Sequence, residues 1–143
     1  MSVTLNPYLN FKGNCREAFT FYAKCLGGEI VYAKTFAESP MADQVPAERQ
    51  QQLVHVRLEA PGVVLMGSDC PNEVYEAPQG TILALHPDSV SLATALFREL
   101  SEGGQIRMPF EETFWAECFG MCIDRFGVPW MVNYPGNKTV GSA

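Results

Sequence analysis

The second half of this chain repeats the order of the first. A shift of 76 residues (27 to 103) places Leu9 on Leu85, Phe21 on Phe97, Gly27-Gly28 on Gly103-Gly104 and Ile30 on Ile106. A shift of 65 (62 to 127) places Leu58 on Ile123, Gly62 on Gly127 and Met66 on Met131. The change of shift means that the connection between the second and third strands is longer in the first half. Internal repetition of this kind constrains the fold more than any single residue does, because each copy must be one supersecondary unit.

Hydrophobic periodicity and turn chemistry give each unit the order β-α-β-β-β. In the first, residues 3–11 predict a strand, with Pro7 confining it to an edge or a strand start. Asn14 is the expected N-cap of a helix, with Glu17 completing a capping box, and Ala18, Phe21, Tyr22, Cys25 and Leu26 mark its apolar face. Residues 29–36 are a strand and 37–51 a long polar loop with one turn of helix near Pro46. Residues 52–59 and 63–68 form a hairpin around Ala60-Pro61-Gly62. In the second unit, residues 80–85 are a strand, and Asp88 or Ser89 caps a helix carrying Leu92, Ala93, Leu96, Phe97 and Leu100. Residues 105–109 are a strand, 110–115 a loop, and 116–123 with 128–133 a hairpin around Asp124-Arg125-Phe126-Gly127. The expected organisation is a single domain. Module one covers about 3–69, a linker 70–79, module two about 80–134, and a tail 135–143. Neither module closes a sheet alone. The expected fold is therefore α+β: two βαβββ modules joined in one curved eight-stranded mixed sheet around a cup, with helices on the outer face.

Composition narrows the functional classes. With 47% hydrophobic residues in 143, the chain can bury a real core. A net charge of -6 opposes a generic nucleic-acid binder or an anionic membrane surface as partner. No apolar stretch approaches the ~20 residues of a membrane span. The N-terminus lacks a basic, apolar leader pattern, so a cytoplasmic setting is expected. Five cysteines without zinc-type spacing are expected to be reduced thiols.

Strand pairing yields candidate site residues. If Glu59 and Gly62 flank the first turn, Met66 lies opposite His55 and Val64 opposite Arg57. His55, Arg57 and Met66 then share the cup face, while Val56, Leu58 and Leu65 face the helix. If Asp124 and Gly127 flank the second turn, Met131 pairs with Gly120, Pro129 with Cys122, and Asn133 with Cys118. Cys118 and Cys122 then face the cup with Met131 and Asn133, and Trp130 faces the helix. A cup-facing His beside an Arg is the arrangement of a general base beside an anion anchor. The loop Phe110-Glu111-Glu112-Thr113-Phe114-Trp115 places two acids in an aromatic cluster. Glu111 or Glu112 is a candidate acid or base if the cup is dry, and Trp115 a ligand cover.

The segments YLNFKGNCREAFTFYAKCLGGEI, VHVRLEAPGVVLMGSD and ETFWAECFGMCIDRFGVPWMVN resemble the PhnB-like branch of the vicinal oxygen chelate superfamily, which includes glyoxalase I, bleomycin-resistance proteins and extradiol dioxygenases. Members of that branch often carry a 3-demethylubiquinone 3-methyltransferase label, but no strand–GxGxxG–helix signature supports a nucleotide-like cofactor here. The resemblance implies a homodimer. It also implies metal slots at the start of the first strand and on the last strand of each module. Those slots fall on Asn6, Met66, Gly80 or Thr81, and Met131, a set poor in donors for hard divalent ions. No cofactor is therefore expected. The favoured function is binding of a small molecule through Arg57, Met66, Trp115, Cys118, Met131 and Asn133. The competing one is an enzyme with His55 or Glu111 as base and Arg57 as anchor, with or without a divalent metal.

Overall fold

The structure, a computed structural model, describes residues 2–138. The element order is β1 (Tyr8–Phe11), α1 (Cys15–Leu26), β2 (Glu29–Thr35), β3 (Leu53–Ala60), β4 (Val63–Asp69), β5 (Leu83–Leu85), α2 (Val90–Ser101), β6 (Gln105–Glu111), β7 (Cys118–Ile123) and β8 (Pro129–Tyr134). Each half is βαβββ, as the repeat predicts. Short 3₁₀ turns interrupt the loop after β2 at Ala42–Gln44 and Ala47–Arg49. The strands hydrogen-bond as two four-stranded mixed sheets, ordered β1-β4-β3-β2 and β5-β8-β7-β6. In each, the first strand runs parallel to the last and the other pairs are antiparallel. The chain divides into two compact units between Glu76 and Ala77. Among the described residues, no helix is long and apolar enough to cross a membrane. The end of the tail predicted after 134 lies outside the described residues.

Each helix covers one face of its own sheet. α1 buries Cys15, Ala18, Phe19 and Tyr22. The expected stripe centred on Phe21 and Cys25 is rotated, because the Phe19 ring lies over Gly67 of β4, where a Cβ would sit 2.8 Å from it. α2 buries Ala93, Leu96, Phe97 and Leu100, with Phe97 over Gly120 in the same manner. Leu92, expected in this face, is exposed.

The helix starts differ in kind. Ser89 caps α2, accepting from Leu92 N at 3.1 Å. The capping box expected at Asn14 and Glu17 does not form, since Asn14 makes no side-chain cap bond. The buried carboxylate of Asp69, at the end of β4, takes that place. Its Oδ1 accepts from Gly13 N (2.8 Å) and Cys15 N (3.0 Å), and its Oδ2 from Leu53 N (2.9 Å). One anion thus satisfies the positive helix end and ties it to two strands. Asp124 organises the second hairpin similarly. It accepts from Phe126 N, Val128 N and, at 2.8 Å, Trp130 Nε1.

Burial also sets thiol chemistry. Desolvation, then the negative charge of Asp69, pushes the Cys15 thiol far up. Desolvation, then Asp124, pushes Cys122 up to about 11. Cys25 and Cys70 are partly exposed. Iodoacetamide at pH 8 should therefore modify Cys25 and Cys70 in the native protein at least ~10-fold faster than Cys15 and Cys122. Peptide mass mapping with time reads this directly, and equal rates would contradict it.

Candidate functional site

Cross-strand pairing sets one row of side chains across the first sheet. Tyr8 pairs with Met66, Met66 with Arg57, and Arg57 with Tyr32. Lys34 pairs with His55 one step further along the same face. Opposed residues share a face, so Tyr8, Tyr32, Lys34, His55, Arg57 and Met66 lie together. The other face carries the buried Val56, Leu58, Leu65 and Gly67 beneath α1. The predicted face for His55, Arg57 and Met66 is correct, but their pairing is not. Ala60 pairs with Val63 around a two-residue Pro61-Gly62 turn, so Met66 meets Arg57 rather than His55. The slip is two residues, which preserves the face.

His55 sits between two tyrosines. Tyr8 Oη lies 3.3 Å from its Nδ1, and the two rings stack with centroids 5.7 Å apart. The Tyr32 ring lies 5.7 Å away on a tilt of 53°. Arg57 Nε donates to Glu59 Oε2 at 2.7 Å, and its Nη1 lies 3.8 Å from Met66 Sδ. The Arg57–Glu59 pair is 37% and 47% exposed, so solvent screens it and its net worth is about 0–1 kcal/mol. Arg57 can therefore exchange Glu59 for another anion. This face sets Lys34, Arg57 and His55 beside Glu59 and, at its end, the Glu29 that pairs with Glu59.

The second sheet builds the same row from different chemistry. Ala84 pairs with Met131, Met131 with Met121, and Met121 with Met108. The shift of 76 maps Tyr8 to Ala84 and Tyr32 to Met108, and the shift of 65 maps Met66 to Met131. Beside this row, Asn133 pairs with Phe119. The repeat thus carries a polar, cationic and aromatic row in one module and an apolar thioether row in the other.

Here one part of the expected site is overturned. Cys118 pairs with Tyr134 and Cys122 with Trp130, so both thiols lie on the helix-covered face. The cause is the turn. Ile123 pairs with Pro129, and Asp124 N bonds Val128 O at 2.9 Å, one residue beyond the expected register. A slip of one residue flips every side chain of β7, replacing Cys118 and Cys122 with Phe119 and Met121. Burial, followed by the charges of Glu117 and Glu112, raises the Cys118 thiol, the opposite of what a nucleophile needs. Met131 and Asn133 keep the face expected of them. Trp130 is buried on the helix side.

Glu111 ends β6 as an exposed carboxylate opposite Phe119. Glu112 is also exposed. It pairs with Lys138 at 2.7 Å, and that ammonium holds its carboxyl below the usual range. The dry environment that would make either acid a base is absent around them. Trp115 is partly buried, with its ring edge-on to Phe119 at 5.0 Å and to Phe114 at 4.7 Å. Elsewhere, an open depression of about 440 Å³ lined by Gly27, Gly28, Glu29, Glu59, Ala60 and Pro61 offers backbone and two carboxylates, with none of the basic groups around His55.

Residues 4–132 match the Glyoxalase/Bleomycin resistance protein/Dioxygenase superfamily. The chain belongs to this superfamily. Protein YjdN of Escherichia coli (strain K12) is 36% identical over 137 residues, spanning 90% of this chain and 93% of YjdN. Among solved structures, protein PA1353 from Pseudomonas aeruginosa is 44% identical, with a TM-score of 0.84 over 93% of this chain and 98% of its own. The PhnB protein from Bacillus cereus is 22% identical, with a TM-score of 0.79 over 92% and 99%. It shares the fold. The family read from the three sequence segments is the family found.

The metal implied by metal-dependent members of the superfamily meets a poor donor set here. The anticipated first-strand slots at Asn6 and at Gly80 or Thr81 precede β1 and β5. The first-strand residues beside Met66 and Met131 are Tyr8 and Ala84. One module then presents a phenol and a thioether, and the other a methyl and a thioether. Hard divalent ions are held by carboxylates, imidazoles and carbonyls. Among the described residues, no cluster of three or more His, Cys, Asp or Glu could hold a metal ion. The residues do not fit the family's ion.

Proposed function

We propose that this protein binds a small anionic molecule on the open face of its first sheet, without a divalent metal. The observation that carries this reading is His55 held between Tyr8 and Tyr32 on the face that also presents Arg57 and Lys34. In this account Arg57 turns from Glu59 to the ligand, because its planar fork suits carboxylate or phosphate oxygens. Lys34 adds a second fixed charge. The tyrosine rings and the Met66 thioether flank the ligand's apolar part. A thermal-shift series with phenyl phosphate, phenol and inorganic phosphate tests it. Phenyl phosphate should stabilise most, and Arg57→Gln should weaken that binding roughly 10-fold, about 1.4 kcal/mol. Equal shifts in Arg57→Gln and the parent protein would refute the assignment.

A second reading, catalysis with His55 as general base, is favoured by the Tyr8 contact. That hydroxyl at Nδ1 orients the imidazole, and no described residue hydrogen-bonds its Nε2. Removing a general base costs about 10²–10⁴ in turnover, whereas His55→Gln in a binding protein changes affinity alone. Both readings carry a cytoplasmic homodimer. Each four-stranded sheet has two edge strands, and unpaired edges favour association. Light scattering at micromolar concentration should give twice the chain mass of 15.8 kDa; a mass of one chain would contradict it.

A further inference from the structure

Asn133 is fully buried on β8, and neither its Oδ1 nor its Nδ2 has a hydrogen-bond partner among the described residues. An amide in that state loses hydration at both atoms and regains nothing. It cannot be explained as part of the helix-side core, because its strand neighbours Val132 and Tyr134 take that face. Asn133 shares the opposite face with Met131, its direct partner Phe119, and Met121. Trp115 lies edge-on to Phe119. A donor and an acceptor, both unmet, thus stand at the end of an apolar, thioether-lined row.

From this we infer that the second module carries a ligand subsite of its own, which takes an apolar molecule bearing an uncharged amide-like group. The amide or imide N–H donates to Asn133 Oδ1, and its carbonyl accepts from Asn133 Nδ2. Methionine side chains are flexible and polarisable, so the row Met108, Met121 and Met131 adapts to the ligand body while Asn133 specifies its polar end. Selectivity follows from the buried amide. A ligand that offers only an acceptor leaves Oδ1 unpaired, and such mismatches are strongly rejected. The inference rests on the reading of the protein as a small-molecule binder, but it uses neither Arg57 nor His55.

The test is a titration of the full chain with benzamide, which donates and accepts, and with methyl benzoate, which only accepts. The readouts are the Asn133 side-chain ¹⁵N–¹H₂ resonances, assigned by through-bond correlation to the Asn133 backbone, and tryptophan fluorescence. Benzamide at millimolar concentration should move the Asn133 resonances, with methyl benzoate at least ~10-fold weaker. Asn133→Leu should abolish the fluorescence response and raise the Tm of the free protein by about 3 °C, since it removes an unpaired buried amide. Unmoved Asn133 resonances up to the solubility limit of benzamide overturn the proposal, whether or not the Leu variant folds. A lowered Tm in Asn133→Leu also overturns it, because the amide would then be satisfied in the free protein. The His55 ring resonances, followed in the same samples with phenyl phosphate, report the first-module site separately, so failure of one reading does not mask the other.

Discussion

Asp69→Ala should cost about 3–5 kcal/mol, lowering Tm by roughly 10–15 °C, the largest loss expected of any polar substitution in this chain. The carboxylate accepts from three backbone N–H groups, those of Gly13, Cys15 and Leu53, at 2.8–3.0 Å. Two of these bonds are buried and the third partly so. Alanine leaves the donors unpaired at a helix end where water cannot replace the anion, and bonds to a charged acceptor are the costly ones to lose. The matched control is Asn14→Ala. Asn14 occupies the N-cap position but makes no cap bond, so its removal should stay within about 0.5 kcal/mol. A capping residue in its place would cost ~1 kcal/mol. Urea denaturation of the two variants decides between a local cap and a long-range one.

The second large effect concerns the paired glycines that end both helices. Within each pair the two residues are needed for different reasons. Gly27 has φ of 66° and nothing within 4 Å of its missing Cβ. Gly27→Ala therefore meets only backbone strain, about 1 kcal/mol. A Cβ on Gly104 would collide with the Ile123 carbonyl oxygen and stand 2.9 Å from Asp124 backbone atoms. None of these can swing aside. Gly104→Ala should cost about 2–4 kcal/mol and move the second hairpin away from α2. Gly28, where an added Cβ would stand 2.5 Å from Glu59 O and 2.7 Å from Ala60 Cβ, is its counterpart in the first module. A Gly104→Ala variant no less stable than Gly27→Ala would contradict this division of roles.

These glycines also show what was legible beforehand. Helix stops, the βαβββ order and the family follow from local chemistry that sequence displays directly. So does the face of β3, because alternation of Val56 and Leu58 with His55 and Arg57 survives a two-residue error in the turn. The face of β7 was not legible. It depends on whether the Asp124–Val128 turn uses an even or odd number of residues, and Asp124 decides that through bonds to Phe126 N and Val128 N. Asp69 was missed as a cap because the helix it caps lies more than fifty residues earlier in the chain. Tyr8, Tyr32 and Lys34 were missed because their place beside His55 and Arg57 depends on the order β1-β4-β3-β2, which only pairing reveals. One signal did exist. The shift of 76 that maps Tyr8 to Ala84 and Tyr32 to Met108 marks them as corresponding positions where the modules differ in chemistry.

The chain contains two histidines, His55 on the first sheet and His86 exposed in the second module, and this makes the central claim directly measurable. The ring proton resonances of both can be followed by NMR during titration with phenyl phosphate, with His86 as the internal reference. The account predicts that the His55 signal moves in a saturable way while His86 stays in place, and that Arg57→Gln shifts the midpoint to roughly 10-fold higher ligand. Equal, non-saturating drift of both signals, or a His55 midpoint unchanged in Arg57→Gln, would mean that the open face of the first sheet is not the binding site.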